Sequence, residues 1–209
     1  MRPYALLLLG LLLWVEPATA QKVYSLTVRI HEGLHLTEKT IEEILAGASN
    51  VLQRNGCDVT FKLKGPVHTF TSKPIKDAST LEAVHRVPAN VKVVPRINFC
   101  AGGFDEGGYL GCAWRPDDLP RTVIVTPPTT VGRDPMLWAH EFGHTTGLPH
   151  RYDKDNQALM TPCKIEASNW MIDTDECRHF RAGPMQPYPG DPGPMCPPNS
   201  LSRAPHRTD

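Results

Sequence analysis

His140-Glu141-Phe142-Gly143-His144-Thr145-Thr146-Gly147-Leu148-Pro149-His150 is the stretch on which the reading of this chain turns. On a helix, His140 and His144 lie one turn apart on the same face, close enough to share a metal ion. Glu141 projects beside them, within reach of a water held by that metal. Gly147 tolerates the left-handed backbone that ends many helices, and the chain can then double back to deliver His150. Three neutral imidazoles with a fourth position open form the donor set of a catalytic zinc site rather than a closed structural one. His-Glu-x-x-His alone is a weak signal; Gly147 and His150 at fixed offsets make it specific. The alternative is a helix that carries surface histidines. Just upstream, Asp134-Pro135 reads as an N-cap followed by proline at the first helical position. Met136, Leu137, Trp138, Ala139 and Phe142 leave this helix little polar surface, so it should be buried, with only its histidine face opening to a cleft.

Working outward, Arg121–Thr126 reads as a buried strand directly before the histidine helix. Gly108–Trp114 reads as a short strand, Val91–Phe99 as another and Val59–Leu63 as another. Between residues 37 and 53, Ile41, Ile44, Leu45, Ala48, Val51 and Leu52 recur at helical spacing behind Thr37 as N-cap, and Asn55-Gly56 stops the helix. Val23–Ile30 alternates as a first strand, and Asp173–Arg181 reads as a last helix. A β-α-β start, more strands and then two helices indicate one mixed α/β domain, without internal repeats.

Met1 to Ala20 has the form of a secretory signal peptide: Arg2, the apolar run Leu6–Leu13, then Ala18-Thr19-Ala20 as a small-residue cleavage site. The run is too short to span a bilayer; an uncleaved anchor is the alternative. Secretion to the extracellular space is the expectation. The chain has 22 acidic and 22 basic residues and no basic stripe, which points away from nucleic acid and charged membrane surfaces. It has no Asn-x-Ser/Thr sequon, and nothing suggests an oligomer. From Gly183 the composition changes, with eight prolines among the last 26 residues, so 183–209 reads as an extended tail.

Six cysteines, Cys57, Cys100, Cys112, Cys163, Cys177 and Cys196, follow the signal segment, and an even count in a secreted chain suggests disulfides. Fifteen pairings are open. Short loops favour Cys100–Cys112 and Cys163–Cys177, leaving Cys57–Cys196 to pin the tail; a short closed loop is worth roughly 3 kcal/mol in the chain-entropy model. Their spacings do not match paired-cysteine zinc sites.

The histidine segment resembles that of the metzincins, a superfamily of secreted zinc peptidases. The resemblance includes Ala158-Leu159-Met160-Thr161-Pro162, ten residues past His150, which fits the family's Met-containing turn; Met171 is a poorer substitute. Ordinary core packing is the other reading of Met160; it is partly what the family role is, so the two barely compete. The specific match covers 140–162 and the order of elements 21–182. The size is matrixin-like, but no subfamily stands out: Arg151 follows the third histidine where the best-known subfamilies carry Ser, Glu or Asp, and nothing resembles the matrixin propeptide. The resemblance implies an α+β zincin-type fold: a twisted mixed sheet of about five strands, a long first helix, a buried zinc-binding helix and a small C-terminal subdomain with one helix. The catalytic domain would be 21–182, with an upper part 21–147 and a lower part 148–182.

The implied chemistry is zinc-dependent hydrolysis of peptide bonds in proteins or peptides, with Zn²⁺ on His140, His144 and His150 and Glu141 as general base and acid. Substrate would pair with an edge strand containing Tyr109, Leu110 and Gly111, and Pro162 and Cys163 would wall a specificity pocket. A disulfide-closed surface hairpin is the other reading of 108–114. Tyr109 and Tyr152 could assist an oxyanion or simply pack. Asp105-Glu106 and Asp153-x-Asp155-Asn156 offer oxygen ligands for Ca²⁺ without full ligand spacing. His31, His35, His68, His85, His179 and His206 have no ligand spacing. Two rival readings stand beside the enzyme: a catalytically silent zinc-binding interaction protein, against which the intact Glu141 argues, and an enzyme kept latent by its tail, with an unpaired Cys196 as a fourth ligand.

Overall fold

Thr37 caps the long first helix, its Oγ1 accepting from the Thr40 N–H at 3.1 Å. The computed structural model describes residues 20–100, 103–113, 122–127, 133–151, 157–161 and 168–184. Within them the elements run β1 (Lys22–Leu26), β2 (Val28–His31), α1 (Glu38–Arg54), β3 (Val59–Leu63), β4 (His68–Phe70), α2 (Ala78–His85), β5 (Val91–Val93), β6 (Ile97–Cys100), β7 (Gly103–Tyr109), β8 (Gly111–Cys112), β9 (Val123–Val125), α3 (Arg133–Thr145) and α4 (Thr174–Ala182). This is the expected mixed α/β architecture, with a long first helix, a buried histidine-bearing helix and one helix at the C-terminal end.

A five-stranded sheet has the order β4-β2-β5-β9-β8; the first four strands are parallel and β8 runs antiparallel to β9. β5 and β9 are buried at every residue, as central parallel strands covered on both faces must be. The apolar stripe of α1 packs against β3 and α3, and Tyr24, Phe61, Phe142 and Phe180 form an aromatic cluster joining β1, β3, α3 and α4. Tyr24 closes that cluster by donating its hydroxyl to the Phe180 carbonyl at 2.7 Å.

Several boundaries differ from the sequence reading for local reasons. The expected Val23–Ile30 strand divides at Thr27, whose N–H goes to the Asn90 side chain at 2.9 Å instead of a neighbouring strand; β1 pairs with β3 while β2 pairs with β4 and β5. The expected Val91–Phe99 strand divides around Pro95, which has no N–H to donate, so β5 enters the main sheet and β6 pairs with β7 instead. The expected Gly108–Trp114 strand divides at Leu110: Tyr109 ends β7, and only Gly111 and Cys112 form β8. α3 begins at Arg133, placing Asp134 and Pro135 inside its first turn rather than at the cap and first position; proline is tolerated there because the first N–H groups have no helical partner. The short β4 and α2 were not anticipated.

Cys100 and Cys112 are joined as expected. Cys57 and Cys177 are joined to each other, which replaces both the Cys57–Cys196 and the Cys163–Cys177 expectations. The segment just after α1 meets the chain around the start of α4, with Asn55 hydrogen-bonded to Trp170 O and to the Ile172 N–H, so the two Cα atoms stand 5.5 Å apart. The signal segment up to Thr19, Trp114, Arg121, Tyr152, Asp153, Asp155, Asn156, Pro162, Cys163, Cys196, His206 and the tail from residue 185 lie outside the described residues. Among the described residues no helix is long and apolar enough to cross a membrane.

Candidate metal centre

His140 and His144 project from one face of α3, and each is oriented by a backbone carbonyl. His140 Nδ1 donates to Leu159 O at 2.7 Å and His144 Nδ1 donates to Leu148 O at 2.8 Å. Donation from Nδ1 leaves the lone pair on Nε2, the arrangement that readies an imidazole for a metal. His144 Nε2 stands 3.0 Å from His140 Nε2 and 3.2 Å from His150 Nε2. The first two nitrogens carry no proton, so their contact is a pair of facing lone pairs that repel unless a cation lies between them. Nitrogens held 2.0–2.1 Å from a tetrahedral zinc would be roughly 3.3–3.4 Å apart, and the chain's own spacing fits. The three donor atoms all lie within 4.8 Å of one another, and no other such His/Cys/Asp/Glu group occurs among the described residues.

The electrostatics favour neutral ligands. Burial first, and then repulsion from the neighbouring histidines, holds His140 well below the ordinary imidazole range and His144 down to about 3. Burial pushes the Glu141 carboxyl up to about 8. Glu141 is 5% exposed and lies against β8: a Cβ built on Gly111 would stand 2.3 Å from Glu141 Oε1. The missing side chain at Gly111 thus makes room for the carboxyl.

The turn after α3 and the segment 158–160 complete the centre. Gly147 has φ 91°, the left-handed turn expected of it, and the chain returns through Leu148 to His150. Met160 is fully buried, and a Cβ on Gly143 would stand 2.7 Å from its sulfur and 3.1 Å from Phe180 Cζ. Gly143 therefore lets the Met160 turn lie directly on α3, which brings the Leu159 carbonyl to His140. These orienting carbonyls were missed in the sequence because a backbone group leaves no residue signature. Gly143 did leave one, a glycine inside a helix.

Of the residues expected to meet substrate, Gly111 lies in β8, the last strand of the sheet, and Leu110 immediately precedes it, its carbonyl accepting from the Thr126 N–H at 2.8 Å. Tyr109 belongs instead to the β6–β7 hairpin, opposite Ile97. Asp105, considered for calcium, accepts from the Gly107 N–H at 2.8 Å. Histidines outside the centre have local uses: His31 bridges Gly33 N–H and Ser72 O, buried His85 meets Thr122 Oγ1, and His179 Nδ1 meets Thr146 O.

No protein-family model and no curated protein sequence matches the chain. Among solved structures, metalloproteinase-II from Bacteroides fragilis is similar at 13% identity and a TM-score of 0.49, over 78% of this chain and 54% of that one. The chain thus spans about half the length of that protein. Archaemetzincin from Methanopyrus kandleri is similar at 14% identity and a TM-score of 0.43, over 82% of this chain and 92% of that one. Both similarities are distant.

Proposed function

We propose that the chain is a secreted zinc endopeptidase of metzincin type that hydrolyses peptide bonds in proteins or peptides. His140, His144 and His150 hold the zinc, and Glu141 is general base and acid. The observation that carries this reading is the convergence of three imidazole nitrogens, two of them with their opposite nitrogens tied to backbone carbonyls. When bound, zinc supplies Lewis acidity toward the scissile carbonyl and the attacking water. Glu141 takes the water's proton on a carboxylate oxygen and passes it to the leaving amine. Burial makes that carboxylate a stronger base and separates the proton in transit from bulk solvent, while a divalent charge at the histidines favours the ionised form before transfer. Gly111, beside Glu141 in the edge strand β8, offers backbone for an extended peptide, with Leu110 just before it; Pro162 and Cys163, outside the described residues, are kept as the proposed specificity wall on the resemblance alone. The two disulfides among the described residues suit an oxidising compartment and so favour secretion; the proposed division is a cleaved segment 1–20, a catalytic domain 21–182 and a tail 183–209.

The test is cleavage of a mixed peptide library by the purified protein beside Glu141→Ala, with zinc quantified in both. Cleavage by the wild type alone, abolished by chelation, with equal zinc in the two proteins, is expected. Loss of zinc from Glu141→Ala would contradict the base assignment. Zinc in both and cleavage by neither would leave an enzyme kept latent by its tail or a zinc-binding interaction protein, and deletion of 183–209 would separate the two.

A further inference from the structure

Two of the three ligands need no special support, since α3 and two carbonyls hold them. His150 follows a glycine turn and belongs to no helix or strand. The next residue is held from four directions. The Arg151 N–H donates to Met160 O at 2.8 Å. Its guanidinium donates from Nη1 to Asp173 Oδ2 at 2.8 Å and from Nη2 to Met171 O at 3.1 Å, and its Nε stands 3.2 Å from Glu176 Oε1. The two carboxylates also make the reciprocal cap of α4: Asp173 Oδ1 accepts from the Glu176 N–H at 2.8 Å, and Glu176 Oε2 accepts from the Asp173 N–H at 2.9 Å. Each carboxylate therefore spends one oxygen on the helix and the other on Arg151.

We infer that Arg151 is the positioning residue for the third metal ligand, fastening His150 to the N-terminus of α4. The inference rests on the reading of the three histidines as a zinc site. Asp173 and Glu176 are themselves anchored: Cys177 in α4 is bonded to Cys57 beyond α1, and Asn55 donates to Trp170 O at 2.7 Å and accepts from the Ile172 N–H at 3.3 Å. An exposed ion pair would do little. Here the Glu176 side chain is 7% exposed and Arg151 30%, so the pair is far less screened than a surface one and removing the guanidinium takes a cation from a buried carboxylate. Arginine suits the task because its planar fork donates to Asp173 and to the Met171 carbonyl in fixed directions while its charge lies beside Glu176, which a lysine ammonium does not reproduce.

The test compares wild type with Arg151→Met, Arg151→Lys and Asp173→Asn. Asp173→Asn keeps an acceptor for the Glu176 N–H and removes the charge facing Arg151. Zinc affinity is measured by competition with a chromophoric chelator, and ligand geometry from the visible absorption of the Co²⁺-loaded protein at saturation. Arg151→Met is expected to bind zinc about 10- to 100-fold more weakly, with Arg151→Lys and Asp173→Asn affected in the same direction and the Co²⁺ spectrum altered in folded protein. A merely structural arginine would lower the unfolding temperature and leave the saturated Co²⁺ spectrum as in the wild type. Wild-type affinity and spectrum in folded variants would overturn the inference alone; if Arg151→Met does not fold, Asp173→Asn decides in the same way. A wild type that binds no zinc would overturn both the inference and the zinc reading beneath it.

Discussion

At Gly111 the absence of a side chain is what gives Glu141 its place. A methyl group there would meet Oε1 at 2.3 Å and Cδ at 2.5 Å, so Gly111→Ala must swing the carboxyl aside. Displacing a reacting group by about 1 Å can cost on the order of 10²-fold in rate. Gly111→Ala is therefore expected to cleave peptides up to about 10²-fold more slowly with zinc content unchanged, which kinetics and metal analysis on one preparation would check. Lys92 makes a different prediction. It is fully buried in the central strand β5, its Nζ donates to the His85 carbonyl at 3.2 Å, and burial holds its pKa down to about 7 from 10.5. Between those values the unfolded chain binds the extra proton, so stability rises with pH across that window and is flat below it. The slope is at most about 1.4 kcal/mol per pH unit. Urea unfolding at pH 7 and pH 9 should show wild type gaining about 2 kcal/mol relative to Lys92→Met; an equal pH dependence in both proteins would acquit Lys92.

Between elements, the packing of α1 on α3 depends on Gly47. A Cβ there would stand 2.6 Å and 2.9 Å from the ring carbons of Pro135. Helix propensity alone would make Gly47→Ala stabilising by about 1 kcal/mol. Overpacking a rigid ring costs typically about 1–3 kcal/mol, so a net loss of stability is expected; a raised unfolding midpoint would mean that the helices slide apart freely. Gly47 illustrates which parts of this fold are legible in sequence. α1 and α4 announce themselves by periodicity or by caps at Thr37 and Asp173, and the histidine helix by spacing that only a helix makes sensible. Strand boundaries hide because they depend on distant partners: Thr27 breaks a strand only because Asn90 is waiting 63 residues away. α2 did carry a signal, Asp77 three residues before Thr80 in a reciprocal cap, followed by buried Leu81 and Val84. The three clustered histidines are legible because they are crowded into eleven residues; the approach of the segment after α1 to α4, and so the Cys57–Cys177 pairing, arises only once the chain is folded.

Across the whole molecule, the two disulfides among the described residues constrain very different lengths of chain. Cys57–Cys177 joins residues 120 apart and Cys100–Cys112 residues 12 apart. The chain-entropy model gives about 5 kcal/mol for the first and about 3 kcal/mol for the second. Replacing Cys57 and Cys177 with serine should therefore lower the unfolding midpoint more than replacing Cys100 and Cys112, and the reverse order in denaturant melts would mean that native packing, not loop closure, sets the difference. The long bond also changes what damage looks like. The whole histidine segment, every strand from β3 to β9 and the 158–160 turn lie inside the covalent ring it closes. A single backbone cut anywhere in that ring, by any protease, leaves the two pieces tethered through sulfur. Such a nicked molecule keeps its mass apart from one added water and migrates with the intact protein until a reductant separates the halves, so apparent resistance to proteolysis has meaning only on a reduced gel.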